Sequence, residues 1–395
     1  MNIRREEGFS LLEATIATGL LLLVTASIFA MMHPAQGAFA AEPEVADMQQ
    51  RLRVAADTLS KDLIMAGAGA YQGLQAGSLG FYFPSVLPFR QGATGDDPPG
   101  TFATDRITII YVPSTTAQTT LGADLSGATT TFTPAVESDC PMDPATGQPA
   151  KLCGFAQGQT VLVYDDKGSY NLFTITAVTD STATLTVKKP ADANSTTFAA
   201  GSKIVEASSH TYYLKTDVPA NTYQLMHYDG TSNRDVPVVD NVVALEFDYY
   251  GDAQPPIVRK SLSDVPATTY GPKPSAVAVA PWGPFENCLF SPGAIPEPKL
   301  PVLGAGTQGL VPLTAAQLTD GPFCPNDTNA NRWDADLLRI RRIAVTLRVQ
   351  TAVAALRGPA GVLFTRSGTS SGGLKWVPDQ ELHFDISPRN LNLGR

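Results

Sequence analysis

Charge is scarce in this sequence. Only 16% of its 395 residues are Asp, Glu, Lys or Arg, against roughly 25% in ordinary soluble domains. No run of Lys and Arg relieves the deficit, and the formal net charge is −9. That balance excludes a general nucleic-acid surface, which needs clustered cations. Cysteine and histidine number four each. No pair of cysteines has CxxC spacing and no histidine lies near one, which argues against zinc. His33, His210, His227 and His383 show no paired spacing for metal or catalysis, and no constellation for an enzyme emerges. What fills the chain is Thr, Ser, Ala, Gly and Pro around an apolar fraction of 43%. That fraction is ordinary for a folded protein and excludes disorder throughout.

The four cysteines form two local pairs, Cys140 with Cys153 and Cys288 with Cys324. In an oxidising compartment each pair closes a loop, and chain entropy gives the shorter one about 3 kcal/mol. In a reducing compartment they are four buried thiols.

One long apolar run exists, and it is N-terminal. From Phe9 to Met32 there are 24 residues in which Glu13 is the only charge. As a helix it spans about 36 Å, longer than the roughly 30 Å hydrocarbon core of a bilayer. Arg4 and Arg5 precede it, so the positive-inside rule holds the N-terminus in the cytoplasm and exports the remainder. A secretory signal ending at Ala38-Phe39-Ala40 has a shorter apolar core than this and no acid. A plain anchor leaves Glu13 unexplained, because an ionised acid facing lipid is costly.

The stretch Gly8-Phe9-Ser10-Leu11-Leu12-Glu13 resembles the processing site of type IV pilins and of the pseudopilins of type II secretion. The resemblance covers Arg4 to about Met32. It implies that a prepilin peptidase cuts after Gly8 and methylates the new N-terminus at Phe9. It also implies that Glu13 answers the N-terminal amine of a neighbouring subunit during filament assembly. Gln50-Arg51-Leu52-Arg53 through Gly67, the strand from Val242 to Tyr250, and the tail Ser387-Pro388-Arg389-Asn390-Leu391 are similar to PilW-like minor pilins, in that family's order.

Beyond the membrane segment, Pro34 and Pro43 predict a kink or melted stretch around 33–43. Val45, Met48, Leu52, Ala55, Leu59 and Leu63 then recur at helical spacing, with Gln49, Arg53, Asp57 and Lys61 on other faces. Ala66-Gly67-Ala68-Gly69 ends the pattern. Strands are expected at 106–112, 159–164, 172–178, 182–187, 210–215, 222–228, 239–249 and 343–350, forming an antiparallel sheet over the helix. In the last of these Thr346, Arg348 and Gln350 are expected to face out. Residues 113–157 are Thr/Gly-rich, and 251–330 hold 14 of the 31 prolines. Both read as surface insertions. The expected fold is α+β: leader 1–8, transmembrane helix 9–33, periplasmic amphipathic helix 34–69, and a β-rich domain 70–395.

Several motifs suggest chemistry without its context. Gly304-Ala305-Gly306-Thr307-Gln308-Gly309 matches GxGxxG but is flanked by Pro301 and Pro312 rather than by a strand and a helix. Gly368-Thr369-Ser370-Ser371-Gly372 matches a nucleophile elbow, yet Gly373 extends it as a hairpin turn between 362–365 and 374–377. Asp327, Asn329 and Asn331 copy the start of an EF-hand loop, but Arg332 and Leu338 stand where glycine and glutamate are needed. A looser calcium site drawing on Asp327, Asn329, Asn331, Asp334 and Asp336 is the alternative to an Asx-rich turn, and no other cofactor is implied. Arg339, Arg341 and Arg342 form the one basic cluster, expected on a solvated strand edge or against an acidic neighbouring subunit.

The resemblance implies a non-enzymatic subunit that initiates or caps a type IV pilus, or else a type II secretion pseudopilin. Its expected partners are the prepilin peptidase, other pilins or pseudopilins, the inner-membrane assembly platform and membrane lipid. It implies an inner-membrane location with a periplasmic C-terminal domain before assembly. A reading of another class is an adhesin or binding module at a pilus tip, using the inserted loops.

Overall fold

The computed structural model describes residues 10–70, 77–92, 97–98, 100–126, 129–136, 140–142, 147–148, 150–188, 197–219, 222–229, 235–258, 269–304, 309–358 and 376–392, with the backbone alone at 32–40. It contains an N-terminal helix and a β-rich antiparallel domain, an α+β arrangement. The helix α1 (Leu11–Met65) is 55 residues long and continuous. The stretch expected to kink or melt around 33–43 is helical throughout, so it does not melt. Each proline deletes one donor, while Ala35, Ala38, Ala40 and Ala41, the best helix formers, lie between the two sites. The boundary expected between 33 and 34 is therefore not a break in secondary structure.

The helix changes character along its length. Leu11–Met31 has mean hydropathy 2.1 and no buried residue, long and apolar enough to cross a membrane. Further on, Met48, Leu52, Ala55, Leu59 and Leu63 are buried, one stripe at three- and four-residue steps. The helix stops where glycines begin. Gly67 has φ +78°, and a Cβ on Gly69 would meet the Gly77 carbonyl oxygen at 1.6 Å, so neither position accepts a side chain.

The chain divides into two compact units, one comprising residues through Arg53 with Arg348–Glu381, the other Val54–Leu347 with Leu382–Arg395. In the first, the Glu44 carboxylate accepts from the Thr351 hydroxyl (2.6 Å) and the Ala352 amide (3.0 Å). Arg357 donates to the Thr351 and Ala352 carbonyls, and Arg348 pairs with Asp379 at 3.2 Å.

The strands begin with β1 (Val86–Leu87), β2 (Arg106–Tyr111), β3 (Gln118–Thr120), β4 (Thr131–Phe132), β5 (Thr160–Tyr164) and β6 (Tyr170–Thr179). They are followed by β7 (Thr184–Lys188), β8 (Lys203–Glu206), β9 (Ser208–Asp217), β10 (Thr222–Tyr228) and the 17-residue β11 (Val236–Asp252). Short strands β12 (Phe290–Ser291), β13 (Glu297–Pro298), β14 (Leu310–Leu313), β15 (Phe323–Cys324) and β16 (Trp333–Asp334) precede β17 (Ile340–Val349) and β18 (Gln380–Ile386). Eight strands form one sheet in the order β1-β2-β9-β10-β11-β17-β18, with β14 also on β11. Alternation sets its inner face: Val243, Leu245, Phe247 and Tyr249 of β11 and Ile343, Val345, Leu347 and Val349 of β17 are all buried.

The remaining long strands do not join that sheet, which corrects the expectation of one sheet over the helix. They form a second, six-stranded sheet in the order β3-β8-β5-β6-β7-β4. It has its own core of Phe132, Phe173, Phe198, Val161, Val163, Leu185 and Ile204. Residues 113–157 are thus more than a surface insertion, since they supply β3, β4 and the core side chains Ala117, Leu121, Leu125, Leu152 and Phe155. The apolar residues there are single and widely spaced, so neither period registered in the sequence. Among the described residues of 251–330, by contrast, only strands of two to four residues occur beyond the end of β11, in keeping with their prolines.

Candidate functional site

The N-terminal residues come first. Gly8 and Phe9, the expected cleavage and methylation positions, lie outside the described residues. Glu13 sits in the first turn of α1. Its Oε2 accepts from the Ser10 amide at 3.2 Å while the Ser10 hydroxyl accepts from the Leu12 amide at 3.2 Å. The acid therefore also caps its own helix, an arrangement close to a capping box. Further along, the hydroxyls of Thr15, Thr18, Thr25 and Ser27 donate to carbonyls one turn back, so none brings an unsatisfied donor to the apolar surface.

Both cysteine pairs are bonded as paired in the sequence reading. Cys140–Cys153 and Cys288–Cys324 bring their Cα atoms to 5.4 and 5.3 Å. The second ties β15 to the approach of β12, inside the proline-rich segment.

Two of the five oxygen-bearing residues considered for calcium, Asn329 and Asn331, are tied into a turn. Asn331 is buried, donating to the Tyr170 carbonyl at 2.8 Å, and Asn329 accepts from the Asn331 amide at 2.8 Å as an Asx turn. Asp334 and Asp336 converge instead with Asp320. The Asp334 carboxylate accepts from the Gly321 and Asp336 amides at 2.7 and 2.8 Å. Burial nevertheless pushes its acid up to about 7. Asp336 rises to about 6 by burial, opposed by Arg339.

Arg339 and Arg341 correct the reading of a solvated basic edge. Both are buried, Arg339 completely. Arg339 Nε lies 2.5 Å from Asp336 Oδ1, and Arg341 Nε lies 2.7 Å from Asp252 Oδ2. Arg342 stacks over the Tyr250 ring at 4.1 Å. These guanidiniums are structural ties between β17, the turn before it and the end of β11. Gln350, expected to face out, is also buried.

A cluster on α1, β9 and β10 was not among the expected sites. Register places His227 opposite Tyr212, so His210 is its diagonal neighbour on the same face. His210 Nδ1 lies 2.8 Å from His227 Nε2 and 3.2 Å from Asp62 Oδ2, and His227 Nε2 lies 3.9 Å from that oxygen. The two imidazole planes are parallel within 2° with centroids 5.0 Å apart, and the 2.8 Å between Nδ1 and Nε2 means that they meet edge to edge rather than face to face. Tyr111 places its hydroxyl 3.1 Å from His210 Nε2, and Tyr212 donates to Asp62 Oδ2 at 2.5 Å. Burial lowers the basicity of both histidines, against the pull of Asp62 and Asp229; Lys61 lowers His210 further, and His210 lowers His227. Burial and Asp62 raise the Tyr212 phenol. Two signals could have found the site: a hairpin register drawn out in full, and an aspartate breaking the apolar stripe of α1 between Leu59 and Leu63.

A groove of about 1230 Å³ opens in the second unit, lined among others by Phe81, Tyr82, Asp166, Lys273, Trp282 and Asn329. Much of its wall comes from the proline-rich segment. Among the described residues its mixture of aromatic faces and short polar side chains suits binding, and it holds no nucleophile–base–orienter arrangement.

No family model matches the chain, and no curated protein matches it either.

Proposed function

We propose that this chain is a minor pilin or pseudopilin, a membrane-anchored subunit that initiates or caps a type IV pilus. The observation that supports it most is α1 itself. One unbroken helix carries an exposed apolar span with a single acid in its first turn and then a buried stripe that anchors a β domain. Helices of that kind can leave a bilayer and pack into a filament core without unfolding the domain they carry. Glu13 in this reading meets the cationic N-terminus of a neighbour, after a prepilin peptidase has cut between Gly8 and Phe9 and methylated Phe9. The β domain faces the periplasm from the inner membrane, and the assembly platform and other pilins are its partners. The test is the intact mass and N-terminal sequence of the mature chain. A methylated Phe9 supports the reading, and a mature start at Ala41 refutes it.

A type II secretion pseudopilin shares all of these features and differs in the filament it joins. A second reading, a binding module at a filament tip, is favoured by one observation: the groove beside Trp282 and Tyr82. Screening the purified protein against glycans and peptides separates it from a purely structural subunit.

A further inference from the structure

We propose that Asp62, His210 and His227 form a binding site for one divalent transition-metal ion of the zinc class, pinning the last turns of α1 to the β9–β10 hairpin. The inference stands apart from any role of the chain in a filament.

Its first support is the donor geometry. The three facing atoms are His210 Nδ1, His227 Nε2 and Asp62 Oδ2, with separations of 2.8, 3.2 and 3.9 Å. A point equidistant from all three lies about 2.0 Å from each, within the range of zinc bonds to imidazole nitrogen and carboxylate oxygen. Two imidazoles and one carboxylate suit zinc, copper or nickel, whereas calcium and magnesium take oxygen.

Its second support is the arrangement behind the donors. Metal-bound imidazoles are held through their far nitrogen, and ligating carboxylates are themselves hydrogen-bonded. Tyr111 meets the far nitrogen of His210, and Tyr212 donates to Asp62. Asp62 is buried, and the two histidines are partly open, with side-chain exposures of 15% and 21%, so an ion and its remaining water ligands have an entrance.

Without metal, the edge-to-edge imidazoles share one proton along the 2.8 Å line. Metal takes its place: the proton moves to His210 Nε2, where the Tyr111 oxygen accepts it, and the two rings tilt to aim their lone pairs at the ion. The acidic trio of Asp320, Asp334 and Asp336 is a poorer candidate, because the Arg339 cation already occupies Asp336.

The experiment uses the full chain in detergent, stripped with a chelator and dialysed against micromolar zinc. One equivalent per chain is expected, and the cobalt-loaded protein should show visible ligand-field bands. His210→Gln with His227→Gln should abolish both, while His383→Gln should leave both intact. Tyr111→Phe keeps all three ligands and should weaken zinc roughly tenfold. It decides the matter if the double variant fails to fold, as judged by circular dichroism. A folded wild type that takes up no zinc would overturn the proposal and leave a pair that holds only a proton. Undiminished uptake by the folded double variant, or unchanged affinity in Tyr111→Phe where that variant is the arbiter, would overturn it equally.

Discussion

Arg339→Ala should be among the most damaging single changes in the β domain. The side chain is fully buried on the 3₁₀ turn Ala335–Arg339 that leads into β17. One guanidinium nitrogen donates to the Asp252 and Ala253 carbonyls at 3.1 and 3.2 Å, a second to the Pro301 carbonyl at 2.5 Å, and the third lies against Asp336. Truncation strands three carbonyls and a buried carboxylate together. Removing one partner of a buried ion pair typically costs about 3–5 kcal/mol, a large share of the roughly 5–15 kcal/mol that holds a domain folded. Asp336 then loses the cation that opposes its burial and takes up a proton at neutral pH, which favours the lower end of that range. Arg339→Lys keeps a charge but cannot reproduce a fork reaching three carbonyls, so an intermediate loss is expected. Arg339→Met combined with Asp336→Leu removes both ionic partners and should cost less than Arg339→Ala alone. Urea denaturation followed by tryptophan fluorescence is the assay, since Trp333 is buried six residues away in sequence. A loss below about 1 kcal/mol for Arg339→Ala, on a scale where buried pairs cost several, would refute the reasoning. So would a double variant as unstable as the single one.

Three other outcomes follow from the same geometry. Glu13→Ala should leave export and the β domain intact but lower filament incorporation about a hundredfold or more, since an unpaired buried charge costs about 3–5 kcal/mol. Glu13→Gln should be intermediate, and equal amounts of wild type and Glu13→Ala in sheared filaments would sink the assembly role. Replacing Cys288 and Cys324 by serine should destabilise the domain by about 3–4 kcal/mol, and the Cys140/Cys153 pair by about 3, as their loop lengths dictate; matched urea midpoints with wild type would contradict this. Asp334 has a folded-state acid raised to about 7, so its contribution is fully present below the unfolded value and disappears as pH rises through about 7. Wild type should therefore lose stability relative to Asp334→Asn between about pH 4 and pH 7, and parallel stability curves would rule the shift out.

The parts of the fold legible in the sequence were those with a strong local period. The stripe from Met48 to Leu63 is buried residue for residue, and the alternation in β11 and β17 points the expected side chains inward. Strand β8 is only four residues long, and β18 carries Glu381, His383 and Asp385 along an alternating pattern with no full burial. Neither stands out as a β run, and neither was anticipated. The split into two sheets was illegible for a different reason. Alternation says which side of a strand is buried but not which other strand shares that core. Residues 113–157, with apolar side chains scattered among threonine and glycine, acquire a core only when β3 and β4 close the second sheet.

Charge was misread in the same way and for one physical reason. Arg339, Arg341, Asp252, Asp334 and Asp336 look like surface residues by type, because charged side chains are almost never fully buried unless paired. Asp336 is a local partner of Arg339, three residues away, but the rest come from elsewhere in the chain: Arg341 meets Asp252 from β11, and Arg339 reaches carbonyls at Asp252 and Pro301. Such pairing leaves no periodic trace. The histidines repeat the point, since His210 and His227 acquire meaning only through a register and through Asp62, 148 and 165 positions away in the chain. The low overall charge of this sequence sharpens the inference. Where only 16% of residues are charged, several buried ones gathered at two places are held there by the fold at a cost in desolvation. Those two places, the arginine ties at β17 and the His–His–Asp cluster under α1, are where substitution will test the structure most directly.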